Sequence, residues 1–413
     1  VIAVSIVQKG PTMSIKTSLA VAALGLVLAL PSWAQKKYDP GASDTEIKIG
    51  NTVPYSGPAS AYGTIGKTLA GYFKMVNDQG GINGRKINFI SLDDGYSPPK
   101  AVEMVRRLVE QDEVLFLVNT LGTPSNTAIH KYMNTRKVPH LFLATGATKW
   151  NDPKDFPWTM GFNPSYQSEA KLYAQHILKT MPNAKIAVLY QNDDYGKDYL
   201  KGLTDGLGDK AKSMIVAQAS YEVTDPTIDS QIVTLKASGA DTFINITTPK
   251  FAAQAIRKVA DIGWKPVHYL NNVSAAVGSV LKPAGLDKSQ GLISMQYFKD
   301  PADSRWANDP AMKDYLAFMK KYVPDANAND STNAYGYAVA QLTTHVLKQC
   351  GDNLTRENVM KQAASLKNVQ LPMMLPGVVA DTGPNDFAPF QSMQLIRFEG
   401  EAWKPFTDTM AVN

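Results

Sequence analysis

The sequence predicts an α/β fold of two doubly wound parallel-sheet lobes, and three observations carry that reading. Residues 47–92 run as strand, loop, helix, turn, strand, which is one right-handed βαβ unit. Short apolar runs then alternate with helix-period segments in two separate series. Between the series lies a connection rich in Pro and Trp, residues 150–164, whose Pro153, Pro157 and Pro164 disfavour helix.

The first series opens with the alternating apolar positions Ile47, Ile49 and Val53, which end in a Pro/Ser/Gly loop at 54–60. Helix-period spacing over 65–76 stops at Gly80-Gly81, and Asn83-Gly84 turns the chain into a strand at 86–92. Strands are expected at 114–118 and 140–143, with helices at 100–110 and 125–135. The runs LFLV and LFL are continuously apolar, as a parallel strand covered on both faces requires. The second series reads as helix 165–179, strand 185–190, helix 197–207 and strand 214–220. It continues with helix 225–237, strand 241–246, helix 251–262 and strand 267–270. Beyond it, helices are expected at 310–322, 334–349 and 356–366, and an edge-type strand at 393–398. Gly400 turns that strand toward Trp403.

The chain has 413 residues, enough for two or three domains, and 44% hydrophobic against 19% charged residues suits sizeable cores. Lys16, the apolar run 19–30 and Ser32-Trp33-Ala34 follow the plan of a secretory signal peptide cleaved before Gln35. The run holds twelve residues, short for a span that needs about 20. Residues 1–12 precede a plausible initiator, Met13, and are read as an upstream extension. The net charge of +5 is weak, and the chain lacks a Lys/Arg run, which argues against nucleic acid as a partner. Cys350 is the single cysteine, so no internal disulfide forms, and Gln35 stands where a lipoprotein would carry its anchoring cysteine. Cys350 itself reads as a packed thiol rather than a nucleophile.

No catalytic constellation rises above background, and no catalytic residue, metal ligand or cofactor is expected. The segment 61–68 imitates a phosphate-binding loop, yet Ala61 replaces its first glycine and Gly63 is misplaced. Asp93-Asp94 and Asp193-Asp194 are adjacent pairs whose side chains diverge, and they read as caps or loop acids. His130, His140, His176, His268 and His345 show no metal-ligand spacing. What remains is loops at strand carboxyl ends, where open α/β sheets bind ligands. The segments 120–126 and 144–148 are rich in Gly and Thr, which offer amides and hydroxyls to an anion.

The stretch Pro54 to Asp94, with its SGP…YG loop and its GGINGRKI turn, resembles the opening of periplasmic solute-binding proteins of the branched-chain amino acid type. The resemblance covers about Thr45 to Trp403. It implies a type I periplasmic binding fold whose lobes are joined by a three-stranded hinge, with the ligand in the cleft. The hinge crossings would fall near 161–164, 296–299 and 380–392. Residues 35–162 with 297–386 would form one lobe, and 163–296 with 387–413 the other.

Carried over position by position, the resemblance implies that Gly122 and Thr123, with Gly146, Ala147 and Thr148, hold a ligand carboxylate. Tyr62 would wall the pocket, Tyr195 would form an aromatic lid, and Tyr337 or its neighbour Tyr335 would lie near the cleft. Relatives that bind α-amino acids place an acid near Asn272 and Val273, and this chain has none there. Burying an ammonium without a counter-charge is costly, so an aromatic or aliphatic acid is favoured. Asp193 or Asp194 could supply the charge, which keeps amino acids open. The resemblance further implies a periplasmic monomer, not lipid-anchored, that delivers its solute to an ABC permease in the inner membrane. The other readings are a ligand-sensing module of a receptor or regulator and an enzyme built on segment 61–68.

Overall fold

The computed structural model describes residues 1–10 and 36–412. The expected signal segment, 13–34 with its cleavage point, lies outside the described residues. Residues 1–10 carry neither helix nor strand, and the compact unit begins at Lys37. Among the described residues, no helix is long and apolar enough to cross a membrane.

The first lobe is built on β1 (Glu46–Val53), α1 (Gly63–Asp78), β2 (Lys86–Asp93), α2 (Pro98–Glu110), β3 (Phe116–Val118), α3 (Thr123–Arg136), β4 (His140–Leu143) and β5 (Thr159–Gly161). Its five strands lie in the order β2-β1-β3-β4-β5, and all pairings are parallel. Every residue of β3 and β4 is buried, as their continuous apolar runs require. At the expected tight turn, Ile82 and Arg85 exchange backbone hydrogen bonds while Asn83 and Gly84 take φ of 49° and 80°. Two successive positive φ values make the turn that Asn-Gly favours.

The connection 150–164 is not wholly irregular. β5 lies inside it and pairs with β4. The prolines only bound it, at 157 and 164.

The second lobe contains α4 (Tyr166–Thr180), β6 (Ile186–Gln191), α5 (Asp194–Leu207), β7 (Ile215–Tyr221), α6 (Asp229–Ala237), β8 (Thr242–Ile246), α7 (Pro249–Asp261), β9 (Val267–Leu270) and β10 (Ile293–Gln296). α6 starts four residues later than the sequence suggests, because Asp225 turns back onto Glu222. After β10 the chain returns to the first lobe as α8 (Pro310–Tyr322), α9 (Ser331–Cys350) and α10 (Arg356–Ala363). There, the Tyr337 ring of α9 meets Tyr72 of α1 edge-on. The chain then goes back to the second sheet as β11 (Ser392–Glu399) and β12 (Ala402–Pro405). That sheet has eight strands; its main path is β12-β11-β10-β9-β8-β6-β7, with Met410–Ala411 pairing on β11. β11 runs antiparallel to β10 and β12.

Cys350 is buried, and burial pushes its thiol up to about 12. A nucleophile needs the opposite shift.

Candidate functional site

Between the carboxyl ends of the two sheets lies a cavity with about 670 Å³ of empty space, lined among the described residues by nineteen, of which none is charged. Six of the nineteen are tyrosines: Tyr62, Tyr96, Tyr166, Tyr195, Tyr297 and Tyr335. Burial pushes all six phenols above their ordinary value, so they remain protonated donors.

The first lobe supplies one end of the cavity. Gly122 caps α3 with φ of 95°, and a Cβ there would stand 2.6 Å from the Tyr96 ring. Only glycine allows that ring to wall the cavity beside the α3 N-terminus. Thr123 follows as the first residue of the helix and is fully buried. Thr145 Oγ1 accepts from the Trp150 indole N–H at 3.1 Å and from the Ala147 N–H at 3.3 Å. Both partners can only donate, so the Thr145 proton is directed to an acceptor, either Thr123 Oγ1 at 2.6 Å or the Tyr166 hydroxyl. When Thr145 donates to it, the Thr123 hydroxyl has its own proton to offer the cavity, beside helix amides that also favour an anion.

The second lobe supplies Tyr195 at the start of α5 and the turn 272–274 after β9. Asn271 Nδ2 donates to the Tyr195 hydroxyl at 2.7 Å, which orients that phenol. Tyr335 of α9 accepts from Asn119 Nδ2 and donates to Asn163 Oδ1, both at 2.9 Å, and is fully engaged.

The lobes meet at the cavity rim. The Tyr62 hydroxyl donates to the Val273 carbonyl at 3.0 Å, and Lys149 pairs with Asp194 at 2.6 Å. The first bond joins two cavity-lining residues from opposite lobes. Tyr62→Phe is expected to weaken solute binding about three- to tenfold, the worth of one neutral hydrogen bond (about 0.5–1.5 kcal/mol). The ligand-free protein should melt nearly unchanged; calorimetry and a thermal scan check both.

A cleft at the strand ends of two doubly wound lobes, closed by contacts across its rim, is built to enclose a small molecule. A family model described as periplasmic binding protein matches residues 46–402. The chain belongs to the periplasmic binding proteins.

Among similar proteins is the Leu/Ile/Val-binding protein homolog 1 of Brucella abortus (strain 2308). It is 26% identical over 337 residues, 80% of this chain and 86% of that one. A branched chain amino acid ABC transporter structure from Thermus thermophilus, with bound valine, aligns with a TM-score of 0.80 at 15% identity. That alignment covers 90% of this chain and 97% of the other. A fatty acid ABC transporter substrate-binding protein from Thermomonospora curvata aligns at 0.76 with 20% identity, covering 91% and 95%. At such identities the structural likeness speaks for the type I fold. Members of this family are solute-binding proteins that work with ABC-type transporters on amino acids or similar ligands.

Of the residues expected to hold solute in this binding protein, Tyr62, Gly122, Thr123, Tyr195, Asn272 and Val273 line the cavity together. The other four do not. Gly146, Ala147 and Thr148 face a second, polar hollow of about 1150 Å³ near the hinge. The Thr148 amide and hydroxyl already bind a carboxylate, that of Asp198 across the lobes, at 2.8 and 3.0 Å. The Gly146 carbonyl accepts the Tyr166 amide at 2.8 Å. Tyr337 points into the first-lobe core against Tyr72, Tyr315 and Phe318; its neighbour Tyr335 takes the cavity position.

The aspartate pairs act as loop and cap residues. Asp93 accepts from the amides of Tyr55, Ser56 and Gly95; Asp193 caps α5 through the amides of Tyr195 and Gly196. Among the described residues no cluster could hold a metal ion. Tyr96, Tyr166 and Tyr297 line the cavity without having been singled out from the sequence. Tyr96 was within reach of the same rule that found Gly122, since it follows the carboxyl end of β2.

Proposed function

We propose that this chain is the extracytoplasmic solute-binding component of an ABC importer and captures one small amino acid or similar carboxylate by closing its lobes. The observation that carries the reading is the cavity itself: a charge-free, tyrosine-walled chamber at the lobe interface, with Thr123 and the α3 N-terminus offering donors at one end. Apolar side chains suit its aromatic walls, and a carboxylate suits the donor end. Gly122, Thr123, Tyr62, Tyr195, Asn272 and Val273 are the residues proposed to meet the solute; an inner-membrane permease is the partner and the periplasm the place.

The names of the relatives favour branched-chain amino acids as the solute. A second reading, an aromatic or aliphatic acid without an amino group, is favoured by one observation: no carboxylate stands in the lining. A thermal-shift screen separates these. Leucine, isoleucine, valine, 4-methylpentanoate, benzoate and 4-hydroxybenzoate would each be added in excess. A true solute at a hundred times its Kd stabilises the protein by about 2.7 kcal/mol. Stabilisation by none of these, with a clear shift from a nucleotide or a sugar, would refute the proposal.

A further inference from the structure

Glu169 of α4 is 1% exposed and lies directly behind the second-lobe wall of the cavity. Its Oε1 accepts from the Asn272 backbone N–H at 2.8 Å and from the Tyr173 hydroxyl at 2.6 Å, and its Oε2 accepts from Tyr199 at 2.6 Å. Asn272 lines the cavity, and so does Tyr166, three residues earlier on the same face of α4. Among the described residues the groups acting on the carboxyl are two phenols and one amide, and neither a cation nor a second acid is among them. Nearby, Tyr166 and Tyr297 are both held protonated. A buried carboxylate without a positive partner is costly unless something supplies the charge.

Of the other acids near the cavity, Asp94 is buried in the first lobe, where its carboxyl accepts the Tyr96 amide and burial raises it to about 6. Asp194 pairs with Lys149. Asp193 accepts the Tyr195 and Gly196 amides at the N-terminus of α5 and the Gln191 side-chain amide, although burial still raises its carboxyl.

We infer that Glu169 is the residue that selects an ammonium on the solute, acting across the Asn272–Val273 wall rather than by contact. This rests on the amino-acid reading above and deepens it. The uncharged lining then does not exclude an amino acid, because the negative charge sits one layer behind it. The solute would lie with its carboxylate at Thr123 and its ammonium toward the turn 272–274. Glu169 is thus a positioning and specificity residue, not a contact.

A selecting Glu169 leaves a signature that a purely structural one lacks. Burial pushes the Glu169 carboxyl up to about 7, against the pull of Tyr173, Tyr199 and the Asn272 amide. An ammonium beyond the wall favours the ionised form, so leucine binding at pH 7 should release a proton from Glu169. The anion 4-methylpentanoate, which is leucine without its amino group, should instead leave the proton in place or take one up. Leucine affinity should accordingly rise between pH 6 and pH 8, while that of 4-methylpentanoate should not.

The test is calorimetry of the whole protein with these two ligands, in buffers of different ionisation enthalpy. In the wild type leucine is expected to bind more tightly and with proton release. In Glu169→Gln, which keeps an acceptor for the Asn272 amide, the preference for leucine should fall at least tenfold and its pH dependence should flatten. Binding of both ligands with an unchanged preference in the variant overturns the role of Glu169 alone. A wild type that prefers 4-methylpentanoate, or that binds leucine with proton uptake, also overturns it, even if the variant fails to fold. Binding of neither ligand to the wild type overturns the solute class and this inference together.

Discussion

Gly122→Ala is expected to cost solute affinity at least tenfold, about 1.4 kcal/mol or more. Two effects add. The residue has φ of 95°, where an L side chain is strained by about 1–3 kcal/mol. The new Cβ also stands 2.6 Å from the Tyr96 ring, which must swing into the cavity or take α3 with it. Either movement disturbs the position of Thr123, the next residue. Calorimetry with leucine, together with a melting scan, separates the two effects. A variant that melts lower yet binds leucine normally would show that the Tyr96 wall is not part of the site.

The second large effect is on stability as a function of pH. Burial raises the carboxyls of Glu169 and Asp300 to about 7 and of Asp94 to about 6. Their ordinary values are 4.5 for Glu and 3.8 for Asp. A raised acid holds its proton in the folded state after the unfolded chain has lost it. The stability it contributes is therefore complete below the unfolded value and disappears as pH rises to about 6–7. Histidines work in the opposite sense. Burial lowers His140 and His268 to about 3 and His130 to about 4, so their contribution is present above 6.5 and fades as pH falls toward 3 to 4. The wild type should therefore lose stability on both sides of a maximum between about pH 4.5 and 6.5. Glu169 alone accounts for about 2–3 kcal/mol between pH 5 and pH 8, from 1.36 kcal/mol per unit. Urea unfolding of the wild type and Glu169→Gln at those two pH values should show that difference. The same pH dependence in both proteins would mean that Glu169 is ionised in the native state at pH 5.

Much of the fold was legible in the sequence because its elements are periodic and punctuated. The βαβ unit from β1 to β2 carries its own stop at Gly80-Gly81 and its own turn at Asn83-Gly84, so neither element depends on distant residues. β5 and β10 were not legible. The first is three residues long between prolines and next to Trp158; the second, Ile-Ser-Met-Gln, is too short to show a period and is held by pairing with β9 and β11.

The site divides in the same way. Gly122 and Thr123 could be found because a strand end running into a helix start is a local pattern. Thr148 looked equivalent, but its donors are satisfied by Asp198, fifty positions away on the other lobe. Tyr335 and Tyr337 stand two residues apart on one helix and so face nearly opposite sides, and only packing decides which side is the core. Glu169 carries no local sign of function, since its importance comes from a turn about a hundred residues later.

The central claim is that solute binds in the tyrosine-lined interlobe cavity, with its anion at Thr123. Calorimetry of leucine, or of whichever acid in the screen binds tightest, against the wild type, Thr123→Val and Thr148→Val tests it most directly. Thr123→Val removes a donor to a charged group and should weaken binding by about 1.5–3 kcal/mol. Thr148→Val touches only exposed contacts with Asp198 and Ser165 and should change affinity by less than about threefold. Loss of binding in Thr148→Val, with Thr123→Val unaffected, would place the anion in the hinge-side hollow and contradict the account.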